Sequence, residues 1–269
     1  VGERIEEDGH RSLAGQHRGN AVDMSLQPGG RRTIDLNADV GESFGRWQLG
    51  DDDALIPHLS SANVACGAHA GDPLTLRHTV EQCVTHGVAI GAQVAYPDLA
   101  GFGRRAMELQ LDELTAVVLF QLGALDGLAR VAGSRVRYLK PHGALYHRVL
   151  DDRVQADALV DAVRAWPEPL AVLTMADGEL AERAGRAGLM VVHEGFADRA
   201  YTADGRLVPR TEPGAVLAGD EVAAQALRLA AHPDVGSLCL HGDTPGAADH
   251  AAAVRAALRA AGVDVAAPW

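Results

Sequence analysis

The stretch that decides the fold is TIDLNADV, residues 33–40. Successive side chains of a strand point to opposite faces. Ile34, Leu36, Ala38 and Val40 therefore share one face, and Asp35, Asn37 and Asp39 share the other. A parallel strand covered on both sides reads as apolar on both. Three polar residues on one face instead predict a strand whose inner side lines a barrel or a catalytic mouth. CLHGD, residues 239–243, behaves alike: Leu238 and Leu240 face one way, Cys239, His241 and Asp243 the other.

Working outward, strands are expected at RTIDLNADV (32–40), SANVAC (61–66), VAIGAQV (88–94), VRYLK (136–140), LAVLTM (170–175), GLMVVHEG (188–195) and GSLCLH (236–241). Helices alternate with them. Pro73 suits a first turn, and Leu76, Val80, Cys83 and Val84 follow helical spacing. Leu111, Leu114, Val117, Val118, Leu122 and Leu125 mark a long amphipathic helix. Further helices are expected over 153–165, 178–187, 219–231 and 246–261. This order predicts an α/β fold with a parallel sheet and helices outside it. With the polar strand faces, it predicts a distorted (β/α) barrel of seven or eight strands rather than an open sheet.

The 269 residues are 47% hydrophobic, which suffices for one large core. The formal charge of -12 repels phosphate backbones and argues against nucleic acid as a partner. No apolar run approaches the length that spans a bilayer, and no membrane partner is expected. Cys66, Cys83 and Cys239 lack CxxC spacing, the pattern of reduced thiols in a cytoplasmic protein. Residues 1–31 are polar and aperiodic, with no signal-peptide core. They read as a disordered leader ahead of a single domain over 32–269.

Chemically loaded residues collect at the carboxyl ends of the expected strands. Asp39 and Glu42 follow the first, His69 and Asp72 the second, and Gln93 and Tyr96 end the third. Lys140 and His142 end the fourth. Glu194 and Asp198 follow a later strand, and His241 and Asp243 the last. In parallel barrels that rim carries the catalytic groups, so the order points to an enzyme. Each residue also has a plainer use. Asp72, directly before Pro73, suits a helix cap, and Cys66 suits a small buried position. His78 and His86 fall on a helix, and His10 and His17 in the leader; none is assigned a role.

Histidines and carboxylates on one rim suit either a divalent metal that activates water or general acid–base work on an amide. Lys140 suits an oxyanion or a carboxylate. Arg104 and Arg105, closing the loop GAQVAYPDLAGFGRR (91–105), suit a forked clamp on a carboxylate or phosphate, or a solvated loop end. There is no GxxxxGK[ST], hence no P-loop for ATP, and no HExxH.

Taken together, IDLNADVGESFG, SANVACGAHAGDP, YPDLAGFGRR, LKPHGALY, FADRAYTADGRLVPR and HGDTPGA resemble the LamB/YcsF family, from about Thr33 to the last residue. The resemblance implies a barrel of the glycoside hydrolase/deacetylase type. It also implies the A component of a prokaryotic ATP-dependent 5-oxoprolinase. In that reaction 5-oxo-L-proline, ATP and two waters give L-glutamate, ADP and phosphate, with ATP a co-substrate of a complex containing subunits B and C. On this reading Asp39, His69 and His142 bind or activate water, with His241 and Asp243 nearby. Lys140 and Arg104 or Arg105 hold the substrate carboxylate or a phosphorylated intermediate, and Gln93 and Tyr96 contact substrate. Asp39, His69 and His142 are the candidate ligands of a divalent metal. One departure bears on that metal: many relatives read His-Pro where this chain reads Gln93-Val94. A metal-dependent amidase or carbohydrate deacetylase, and a non-catalytic component that binds a small acid, are the competing expectations.

Overall fold

In a computed structural model of the chain, residues 32–269 are described. The expected leader, with His10 and His17, lies outside them. The strands are β1 (Arg32–Val40), β2 (Ser61–Ala65), β3 (Ala89–Val94), β4 (Val136–Pro141), β5 (Ala171–Thr174), β6 (Val191–Phe196), β7 (Ser237–His241) and β8 (Val263–Val265). The helices are α1 (Asp52–Leu55), α2 (Pro73–His86), α3 (Leu111–Val131), α4 (Gly143–Asp151), α5 (Arg153–Ala165), α6 (Glu179–Arg186), α7 (Asp220–Ala231) and α8 (Ala247–Ala260). Strands β1 to β7 pair in parallel in chain order, and β7 and β2 both pair with β1, so the seven close a barrel. The short β8 pairs with Arg32–Ile34, the first residues of β1.

The alternation read in TIDLNADV decides what fills the barrel. Ile34, Leu36, Ala38 and Val40 join the apolar layer shared with the helices. Asp35, Asn37 and Asp39 turn inward and are buried too. Burying such groups is costly unless they are hydrogen-bonded. Asp35 accepts from the hydroxyls of Ser60, Ser61 and Ser237. Asn63 donates to Asn37 (2.7 Å) and Asp39 (2.8 Å), and Tyr138 donates to Asn63 (2.7 Å).

Beside the Asp35 layer, part of the barrel floor is apolar. Tyr138 groups there with Ala171, Leu173 and Val192, and Trp269 stacks on its ring at 4.1 Å between centroids. Gly91 on β3 makes room for that ring: a Cβ there would fall inside it. The β3–β4 register shifts at this point, between Ile90 and Gly91.

By length and composition α3, with 21 residues, is long and apolar enough to cross a bilayer. Its exposed positions are charged only at the ends, at Asp112, Glu113 and Arg130, with Ala116, Phe120, Gly123, Ala124 and Gly127 between them, while Leu114, Val118, Leu122 and Leu125 are buried against the barrel. Asp72 keeps the plainer of its two uses. It caps α2, accepting from Leu74 and Thr75, and also receives Gly45 N–H at 2.8 Å.

Candidate active site

Register places the rim residues in layers. Asp39 pairs with Asn63 on one side and His241 on the other, and Gln93 pairs with Lys140. Aligned partners in neighbouring strands point the same way, so these side chains converge at the carboxyl end of the barrel. Beyond β1, Gly41 adopts a left-handed turn (φ 71°) that a side chain would strain. That turn brings Glu42 back over the barrel.

Lys140 stands near the axis, 2% exposed. Its Nζ lies 3.1 Å from Asp39 Oδ1, 3.0 Å from Cys239 Sγ and 3.1 Å from Glu194 Oε2. Burial works against its charge, yet Asp39, Cys239 and Glu194 hold the ammonium well above the usual lysine range. Burial also opposes ionisation of Asp39, but Lys140 and His142 hold that carboxyl well below its ordinary range. Glu42 goes the other way: burial pushes it up to about 7 despite His142. Two carboxyls with opposed environments are the arrangement that separates an acid from a base.

His69 and His142 stack at 4.1 Å, and Phe102 meets both rings edge-on. Burial pulls His69 down to about 4. Burial, then His69, lowers His142. Both imidazoles are thus neutral near pH 7. The Phe102 carbonyl, 3.2 Å from His142 Nε2, can only accept, so that nitrogen carries the proton. Nδ1 is then free to accept from Gln93 Nε2 at 2.9 Å. Gly103, with φ 65°, presses the loop onto the two rings: a Cβ there would stand 3.0 Å from His69 Cβ.

On the far side His241 donates from Nδ1 to Asp198 at 2.9 Å. The pairing fixes the tautomer and presents Nε2 as a base. A cleft of about 400 Å³ opens over these groups, lined by Asp39, Arg104, Lys140, His142, Arg199 and Arg210 among others, with His241. Its size suits a small ligand.

The structure thus brings Asp39, Lys140, His142 and His241 to the cleft, with His69 and Gln93 packed directly behind. Asp243 lies at the mouth, 2.9 Å from Arg104. Arg105 is turned aside onto Asp98, bracing the loop. The Tyr96 hydroxyl donates to Gln155 of α5 at 2.9 Å, in the helix layer. Sequence reasoning passed over Arg199, Arg210 and His147, which line the same cleft. The signal available was the basic content of FADRAYTADGRLVPR (196–210).

Glu42, His69 and His142 bring ligand atoms within 4.8 Å of one another, all buried. That is the spacing of a possible metal centre, with Glu42 where Asp39 was expected. Asp39 is instead engaged by Lys140 and Asn63. Both His69 ring nitrogens lack a hydrogen-bond partner, which favours a ligand. Against it, Gln93 Nε2 donates to Glu42 Oε1 (3.1 Å) and to His142 Nδ1. An amide N–H occupies the lone pairs that a cation needs, so this donor set fits a tightly held metal poorly.

The LamB/YcsF family pattern matches residues 34–268. A protein of Streptomyces avermitilis, named as the A subunit of 5-oxoprolinase, is 55% identical over 247 residues, 87% of this chain and 99% of that one. The crystal structure of the lactam utilization protein from Thermus thermophilus superposes with a TM-score of 0.81 at 42% identity, covering 87% of this chain and 99% of that chain. The catalytic domain of a peptidoglycan N-acetylglucosamine deacetylase from Eubacterium rectale shares the fold alone, with a TM-score of 0.50 at 11% identity over 91% of this chain and 92% of its own. The barrel, its polar lumen and the match along nearly all described residues agree: the chain belongs to the LamB/YcsF family.

Proposed function

We propose that the chain is the A component of an ATP-dependent 5-oxoprolinase and that its cleft opens the lactam of 5-oxo-L-proline to L-glutamate. The observation that carries the chemistry is the opposed pair of Asp39, which lines a cleft with a cationic wall, and Glu42, buried behind it 3.7 Å from His142 Nδ1. Close relatives named for this activity supply its substrate.

A five-membered lactam is a resonance-stabilised amide, and coupling its opening to ATP through phosphorylation of the amide oxygen yields a better electrophile. That step belongs with partner subunits B and C, in accord with the lack of a P-loop motif here. Water held by Asp39 beside neutral His142 adds to the ring carbon, and His241, oriented by Asp198, takes its proton. The carbon–nitrogen bond then breaks to leave the acyl phosphate of glutamate, with Glu42, pushed up to about 7 by burial and 3.7 Å from His142, as the source of the proton that reaches the nitrogen. A second water cleaves the acyl phosphate to glutamate and phosphate. Lys140 opposes the negative charge that develops, in a site where water is largely excluded. Arg104 holds the anionic end of the substrate. Three buried free thiols accord with the cytoplasm.

Reconstitution with subunits B and C tests this reading. ATP-dependent release of glutamate from 5-oxoproline is expected, with loss on Asp39→Ala. A folded three-subunit complex without that activity overturns it. The spacing of Glu42, His69 and His142 keeps a second reading, a metal-dependent amidase or deacetylase. It requires activity without ATP that a chelator abolishes.

A further inference from the structure

The chain carries a formal charge of -12, yet one wall of the cleft reverses that sign. Arg104 comes from the loop after β3. Arg199 and Arg210 come from the excursion between β6 and α7, and His147 from α4. Two guanidinium groups share a single carboxylate oxygen: Arg104 Nη2 lies 2.9 Å, and Arg210 Nη1 3.4 Å, from Asp243 Oδ2. Arg199 is 4% exposed, and its hydrogen bonds go to the carbonyls of Val208 (2.6 Å) and Ala215 (3.2 Å). The neighbouring carboxylate, Asp198, is engaged by His241. The cations crowd one another: after burial, Arg210 is the main influence lowering Arg199, and Arg199, Arg206 and Arg210 add to burial in lowering His147.

Three guanidinium groups around one available carboxylate leave positive charge uncompensated, in a cleft that opens to solvent. One carboxylate oxygen cannot give two guanidinium forks their paired acceptors. A dianion with three terminal oxygens can. A phosphoryl group has that charge and geometry above its second ionisation. A second carboxylate would supply one charge and two oxygens.

We propose that Arg104, Arg199 and Arg210 form a phosphoryl-binding subsite at the mouth of the cleft. Asp243 is its resident counter-anion, displaced when a phosphorylated substrate enters. The assignment rests on the reading of this cleft as the place of lactam opening. It adds where the phosphate of that activated lactam sits: at the arginine wall, with the ring over Asp39 and Lys140.

The test is titration of the intact, isolated chain with inorganic phosphate at low ionic strength, followed by calorimetry or by phosphorus NMR line width. Wild-type protein binds phosphate. Arg210→Gln weakens binding by roughly tenfold or more, as loss of a charge-assisted contact should, and Arg104→Gln does the same. Asp243→Asn, which removes the competing charge, tightens binding. Arg105→Gln, whose guanidinium is held by Asp98 away from the mouth, leaves it unchanged. Melting curves confirm that each variant is folded. The proposal is overturned if wild type ignores phosphate, if Arg210→Gln and Arg104→Gln bind as wild type does, or if Asp243→Asn fails to tighten binding. A reconstituted complex that releases glutamate while the isolated chain ignores phosphate sinks the subsite and spares the lactam-opening reading. Phosphate binding with the stated variant pattern but no glutamate release supports the subsite and sinks that reading.

Discussion

Gln93 Nε2 lies 3.1 Å from Glu42 Oε1 and 2.9 Å from His142 Nδ1, a donor shared by two of the three candidate ligand groups. Histidine at this position replaces the donor with a nitrogen lone pair and releases the other two acceptors. Gln93→His should therefore raise the metal content of zinc-equilibrated, desalted protein from near none toward one ion per chain. Elemental analysis reads the outcome, and an unchanged content would show that Gln93 is not what keeps the centre weak. The rim residues were legible because each follows a strand in the sequence. Which carboxylate joins the two histidines was not. Asp39 is fixed by its strand and answers to Lys140, whereas Glu42 reaches the histidines only through the Gly41 turn, and a left-handed turn does not show in side-chain alternation. Arg199 and Arg210 were missed because they reach the cleft from a long excursion whose path no local period reports.

At the scale of elements, the seven strands that close the barrel were legible, since alternation and apolar runs mark them. α4 was not: it starts at Gly143, directly after a Pro–His pair that reads as a turn, and β8 has only three residues. Two predictions belong to the inward faces of β1 and β3. Burial raises Asp35 to about 6 against the hydroxyls of Ser237, Ser60 and Ser61. A carboxyl raised on folding contributes stability that is full below about pH 4 and lost as pH rises through about 6. The destabilisation caused by Asp35→Asn, which cannot ionise, should be larger at pH 5 than at pH 8 when followed by denaturant unfolding. A constant penalty would mean that Asp35 keeps its ordinary value. Gly91→Ala drives a methyl group into the Tyr138 ring, beside a register shift with little room to adjust. A loss of about 1–3 kcal/mol is expected, whereas Gly123→Ala on the open face of α3, where a Cβ meets nothing, should be neutral or stabilising.

For the whole molecule, the two extremes of the described chain meet at the barrel floor. β8 pairs with the first residues of β1, Ala266 N–H bonds Ile34 O at 3.0 Å, and Trp269 stacks on Tyr138 inside the floor. From there a line of hydrogen bonds climbs the lumen, Tyr138 to Asn63 to Asp39, and Lys140 completes it at the cleft. The floor plug and the reacting carboxylate are therefore parts of one packed and hydrogen-bonded column. Trp269→Ala removes the ring that holds Tyr138 flat and leaves a hole under it. The expected cost is about 3 kcal/mol, a fall in Tm of roughly 6–12 °C at a few degrees per kcal/mol. Because Tyr138 then has freedom to leave Asn63, turnover in the reconstituted complex should drop as well, at a temperature where the variant is still folded. Trp269→Phe, which restores stacking with a smaller ring, should recover most of both. A variant that loses stability yet turns over at the wild-type rate would confine the floor to a packing role and break the column at Tyr138.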